Sequence, residues 1–180
     1  MEKFLDGLDS FQAAFEQTLL GEDGEALEKS VGVVYIKRPG RFHWHYYEPY
    51  SQYLISDGKN LWVYDEDLEQ VTIRDIAGSM KDTPAAILGG EVDIDEHYVV
   101  IDEEDEGDID WLELTPRDIE SQYETLRLGF QENLLAAMIL FDSLGQETRI
   151  SFLHSQRNPE LKRSLFRFEP PENVDVIDDR

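Results

Sequence analysis

The chain has 180 residues, with 16 Lys and Arg against 40 Asp and Glu, a net charge of −24 and no cysteine. A chain this acidic is repelled by nucleic acid and by anionic membrane surfaces, and the lack of cysteine excludes disulfides, thiol catalysis, thiolate metal sites and cysteine-linked lipid anchors. The length fits one domain spanning 1–180, the 41% hydrophobic content argues against disorder, and no run approaches the roughly 20 apolar residues of a membrane span.

The start of the chain, "MEKFLDGLDSF", has no long apolar core and no small-residue cleavage site, so it does not read as a signal peptide. Two readings stay open: a cytosolic protein, or one whose leader has been removed. Phe4, Leu8, Phe11 and Phe15 have the spacing of one helix face, whereas Phe11, Ala13, Phe15, Gln17 and Leu19 fit one face of a strand. "LLGEDGEAL" then reads as a turn.

From Ser30 to Ile76 the period is two. "SVGVVYIKR" is a strand turned by Pro39 and Gly40, and "RFHWHYY" follows with Phe42, Trp44 and Tyr46 on one side and His43, His45 and Tyr47 on the other. "QYLIS" comes next. Asp57-Gly58 marks a hairpin before "NLWVY", and "QVTIRDI" closes an antiparallel meander of about four or five strands. In "KDTPAAILGG" the pattern changes. Thr83 suits an N-cap, Pro84 the first helical position and Gly89 the end of a helix of about two turns with Ala86, Ile87 and Leu88 on its apolar face. Strands resume in "HYVVI", "DWLELT", "YETLRLGFQ", "LLAAMILFD" and "ETRISFLHS", and "RSLFRFEPP" reads as the last, ended by Pro170-Pro171. The total of about ten or eleven strands predicts one large antiparallel sheet curled toward a barrel.

"KRPGRFHWHY", "SDGKNLWVYDEDLEQVT", "DTPAAILGG" and "FRFEPPENVDVID" occur in that order along nearly the whole chain. Together they resemble the outer-membrane lipoprotein carrier proteins of Gram-negative bacteria, the LolA-type periplasmic chaperones. The resemblance implies a mainly β (α+β) fold: an incomplete antiparallel β-barrel of about eleven strands with short lid helices. It favours a short helix around Lys3–Asp9 and then a strand from Ser10 to Leu20. It also implies a job in the periplasm, without enzymatic activity or cofactor. A monomer would accept a triacylated lipoprotein from an inner-membrane lipoprotein-releasing ABC transporter and pass it to an outer-membrane lipoprotein receptor.

Acyl chains give up about 0.8 kcal/mol per buried methylene, so one long chain is worth on the order of 10 kcal/mol to a carrier with an apolar hollow. The expected lining is Phe42 and Trp44, then Leu126, Leu128 and Phe130 from a later strand, and Met138 and Leu140 from the next; the lid offers Ile87 and Leu88. Arg38 shares parity with Gly40, Phe42 and Trp44, so it points into the concavity. A guanidinium there needs acceptors for its donors. The carbonyls at the ends of the lid helices would supply them. The family's functional arginine in the Arg-Pro turn matches this position, which makes Arg38 a lid latch with which lipid competes. The resemblance also places Phe42 at the rim, engaging the transporter; Arg41 departs from the pattern and has no assigned role.

Competing readings are plain. On residue type alone Arg38 is a surface arginine in an ion pair, and the aromatic stripe is ordinary core. His43 and His45 lack a third ligand nearby and read as sheet histidines. Asp102–Asp110, with seven acids in nine residues, lacks the EF-hand pattern and reads as a solvated loop. The alternatives to a carrier are a hydrolase acting on lipid or glycan, for which no catalytic motif stands out, and the membrane receptor of the same route, which is anchored through an N-terminal cysteine absent here.

Overall fold

In a computed structural model, described for residues 7–76, 83–90, 93–102 and 107–180, the described residues form one sheet curled around two short α-helices. In order come β1 (Ser10–Leu20), β2 (Ala26–Lys37), β3 (Arg41–Glu48), β4 (Gln52–Asp57), β5 (Asn60–Asp65) and β6 (Gln70–Asp75). Helices α1 (Pro84–Gly89) and α2 (Ile94–His97) follow, then β7 (Tyr98–Asp102), β8 (Asp110–Pro116), β9 (Tyr123–Gln131), β10 (Leu134–Asp142) and β11 (Glu147–Arg157). A 3-10 helix (Arg163–Phe166) and β12 (Asp175–Asp178) end the chain.

The twelve described strands form a single sheet in the order β12-β6-β5-β4-β3-β2-β1-β11-β10-β9-β8-β7. Each meander is hairpin-connected, and β1 pairs with β11 to join the two. The β12 and β7 edges are not paired with each other, so the barrel is incomplete. The alternation read from the sequence sets the two faces. Phe11 and Phe15 of β1, Val34 and Ile36 of β2, Phe42 and Trp44 of β3, and Ile150 and Phe152 of β11 are buried in one concave cluster. Ile87, Leu88 and Ile94 of the two helices pack into the same cluster. Phe15 sits 5.0 Å from Trp44 and 5.1 Å from Tyr46, centroid to centroid. Gly32 makes room for it, since a Cβ there would lie 2.6 Å from the Phe15 ring and 2.0 Å from the His45 carbonyl oxygen.

Local signals account for most elements. At the Asp57-Gly58 hairpin, Asp57 Oδ1 accepts from the backbone N–H groups of Lys59 and Asn60, both at 2.8 Å. The first backbone bond of α1 runs from Ile87 N to the Thr83 carbonyl at 3.2 Å, with Pro84 in the first helical position. The strand predicted for "ETRISFLHS" extends to Arg157, and those for "YETLRLGFQ" and "LLAAMILFD" are β9 and β10.

Two features differ from the expectation. "RSLFRFEPP" is not a strand: Arg163–Phe166 is a 3-10 helix, and the final strand is β12, which runs parallel to β6. The 3-10 helix lies on the convex face, where the Leu165 carbonyl accepts from His43 Nδ1 at 2.8 Å and Phe166 is buried. Helix α2 was not foreseen; Asp93 caps it by accepting from Glu96 N at 3.3 Å. The twelve strands among the described residues agree with the expectation of about eleven. Most of the helix expected at Lys3–Asp9, the side chain of Ala86 and positions 103–106 of the acidic run lie outside the described residues.

Candidate functional site

The turn between β2 and β3 sits against the end of α1. A helix leaves its last four carbonyls without internal partners. Here two of them are met by this turn: Arg38 Nε donates to the Leu88 carbonyl at 2.9 Å, and Gly40 N donates to the Gly89 carbonyl at 3.1 Å. Arg38 N in turn donates to the Asp9 carbonyl at 2.9 Å, and Ser56, fully buried, donates through its hydroxyl to the Gly40 carbonyl at 2.8 Å. Arg41, for which the sequence suggested no role, donates through Nη2 to the Arg38 carbonyl at 3.2 Å and braces the same turn. Arg38 is half-buried, and that burial pushes its pKa down from the usual arginine range; guanidinium remains protonated in any case.

Beside this turn, α1 roofs an apolar cavity of about 220 Å³. Thr83, Pro84 and Ala85 form the roof, and Phe42, Trp44, Leu54, Leu140 and Ile150 the apolar wall. Gln17, Tyr46, Tyr123 and Thr148 complete it. Gln17 and Tyr46 also line a second hollow of about 320 Å³ with Glu28, Ser30, Gln52 and Asp65, so a polar, open region adjoins the apolar one. Ligand pockets usually hold about 300–1,000 Å³. The apolar cavity is smaller than that with α1 in place.

Of the residues singled out from the sequence, Phe42, Trp44 and Leu140 line this cavity. Ile87, Leu88, Leu126, Leu128, Phe130 and Met138 lie in the buried cluster, each at most 6% exposed, packed between the sheet and the helices. Arg38 stands next to them at the C-terminal end of α1. The polar lining residues were missed because a search for hydrocarbon partners passes over Gln17, Tyr46, Tyr123 and Thr148. The parity of Gln17 with Phe11 and Phe15, and of Tyr46 with Phe42 and Trp44, carried the signal.

The family model of the outer membrane lipoprotein carrier protein LolA matches residues 6–169. The chain belongs to the LolA family. Relatives described as outer-membrane lipoprotein carrier proteins agree. That of Nitrosomonas europaea is 39% identical over 180 residues, covering 99% of this chain and 87% of the relative. That of Hahella chejuensis is 40% identical over 176 residues, covering 96% and 84%. Two crystal structures share the fold. An uncharacterised conserved protein from Thermus thermophilus has a TM-score of 0.60 at 14% identity, covering 98% of this chain and 93% of that one. A LolA superfamily protein from Nitrosomonas europaea has a TM-score of 0.54 at 16% identity, covering 93% and 95%. In LolA family terms, the Arg-Pro turn and the Thr-Pro helix quoted from the sequence are the two pieces that meet at Arg38 and Leu88.

Proposed function

We propose that the chain carries lipoproteins across the periplasm, taking them from the inner-membrane ABC transporter and delivering them to the outer-membrane receptor, with the acyl chains held between the concave face and α1. As a member of a carrier family it is a lipoprotein chaperone and not an enzyme. The hydrolase reading falls with that.

The observation that carries the proposal is the pairing of a short helical roof, α1, with an apolar hollow beneath it. The apolar hollow described is small for a long acyl chain, and loading enlarges it by moving Ile87, Leu88 and Ile94 out of the cluster. Exposing three such side chains costs roughly 5–9 kcal/mol. One long acyl chain returns on the order of 10 kcal/mol. Opening is therefore driven by cargo, and the surplus is small enough for release. Arg38 sets the balance: its bond to the Leu88 carbonyl exists only when α1 is down, so re-forming it favours the empty, closed state.

The test is reconstitution. Inner-membrane vesicles bearing the transporter and a triacylated lipoprotein are incubated with the purified chain. A soluble one-to-one complex that passes its lipoprotein to receptor-bearing vesicles is the expected result. Lipoprotein that stays in the donor vesicles contradicts it.

A further inference from the structure

The apolar cavity has a polar collar that hydrocarbon cannot use. Gln17 of β1, Tyr46 of β3, Tyr123 of β9 and Thr148 of β11 approach it from across the sheet. Trp44 stands in the same wall at 4% exposure, and its buried indole N–H finds no acceptor at hydrogen-bonding distance and angle. Its nearness to Tyr46 favours the phenolate, without reaching hydrogen-bond geometry. The Tyr46 hydroxyl donates to Gln17 Oε1 at 3.3 Å, long for an O–H donor.

A buried donor without an acceptor is costly, and native structures keep few of them without a reason. Sheet geometry alone does not demand the N–H, because a phenylalanine ring would fill the aromatic stack between Phe15 and Phe152. Tyr46 remains a neutral donor at every relevant pH. Burial, with help from Tyr123, pushes its pKa up to about 12, against smaller opposing effects of Trp44 and Gln17. Trp44 in the wall of the apolar cavity and Tyr46, which lines both that cavity and the open polar hollow, are thus two neutral donors on neighbouring residues of one strand face. An amphiphile lying along that path puts its tail in the first region, its polar part in the second, and the bond that joins them at the collar.

We propose that Trp44 N–H and Tyr46 O–H bind the carbonyl oxygen of an ester- or amide-linked acyl group, so that the site recognises the acyl linkage as well as the tail. This rests on the carrier reading and deepens it. A carbonyl oxygen has two lone pairs and can accept from both donors. The Tyr46 hydroxyl gives up its long bond to Gln17, and Gln17 turns to the polar part of the cargo. The arrangement fixes how deep each tail lies, because the linkage stops at the collar.

The test compares two probes by calorimetry on the intact chain: a monomeric dioctanoyl-glyceryl cysteine lipopeptide and its dioctyl ether counterpart, which lacks the two carbonyls. One neutral hydrogen bond corresponds to about a 3- to 10-fold change in affinity. The wild-type chain is expected to prefer the ester by that factor. Trp44→Phe and Tyr46→Phe each reduce the preference for ester over ether about 3- to 10-fold, whatever change in packing both probes share. A purely packing role for Trp44 would weaken both probes alike, and that result overturns the proposal. Equal affinity of the wild-type chain for the two probes overturns it without touching the carrier reading. If neither probe binds, the carrier reading fails and the proposal with it.

Discussion

The Nε of Arg38 donates to the carbonyl oxygen of Leu88 at 2.9 Å, across 50 residues of sequence. This one bond ties the turn after β2 to the last turn of α1, and the adjacent Gly40-to-Gly89 bond repeats the tie through backbone alone. The two differ in kind. The backbone bond survives any side-chain change at position 38, while the guanidinium bond does not.

Arg38→Leu is therefore expected to fold and to keep α1 near its place while weakening the closed state. A charged hydrogen bond at a half-buried site is worth about 1–2 kcal/mol. Cargo affinity should rise about 5- to 30-fold, and transfer to the receptor should slow by a similar factor. The transfer rate of a preloaded complex checks this. Transfer at the wild-type rate would show that Arg38 does not act as a latch.

Gly90→Ala should weaken the same latch from the other side. Gly90 has φ +72°, and a Cβ there would lie 3.1 Å from Arg38 Nε and 3.2 Å from Cδ. An L-residue in that conformation costs about 1–2 kcal/mol, and the contact displaces the guanidinium. Cargo retention should increase about 3- to 10-fold in wild type, and not further in an Arg38→Leu background. Additive effects in the double variant would contradict the shared mechanism.

Gly32→Ala tests the concave wall. Its Cβ would meet the His45 carbonyl oxygen at 2.0 Å, which is backbone and cannot step aside, and the Phe15 ring at 2.6 Å. Overpacking of this severity costs at least about 3 kcal/mol. Urea unfolding should register that loss, and Phe15→Leu should not rescue it, because the His45 carbonyl stays in place. A change under 1 kcal/mol in the single variant, on the order of surface substitutions, would contradict the packing described.

The convex face carries a pH dependence. His43 is pushed below the ordinary histidine pKa by burial, against the opposing bond to the Leu165 carbonyl. His45 is lowered by burial and by His43, against Glu66. The unfolded chain therefore takes up these protons first as pH falls. Stability from this pair is intact above about pH 6.5 and declines as pH drops through that value. Comparing the wild type with His43→Gln/His45→Gln from about pH 7.5 to 5.5 isolates the effect from the many carboxylates. The wild type should lose melting temperature relative to the variant on acidification. Parallel curves would contradict the assignment.

Much of the fold is legible locally. The parity of Phe42, Trp44 and Tyr46 gives the concave face, Asp57-Gly58 gives a hairpin, and Thr83-Pro84 and Gly89 bracket α1. The end of the chain is not legible in this way. "RSLFRF" alternates like a strand, but Leu165 and Phe166 are claimed by His43 and the convex face, which only the folded sheet provides. Strand β12 is four exposed residues, two of them acidic, and its parallel pairing with β6 is specified by distant backbone rather than by pattern. Helix α2 did leave a trace: Asp93 three residues before Glu96 has the spacing of a capping box. At the site, alternation places Arg38 on the concave side, but the register that brings it to Leu88 depends on where α1 docks.

The central claim is that hydrocarbon enters the hollow beneath α1. A lipopeptide with a diazirine at the end of one acyl chain, photolysed in complex with the chain, tests it most directly. Labelling of β3 around Phe42 and Trp44, and of Leu140 and Ile150 on β10 and β11, is the predicted result. Labelling confined to the convex face around Tyr53 and Trp62 would contradict the account.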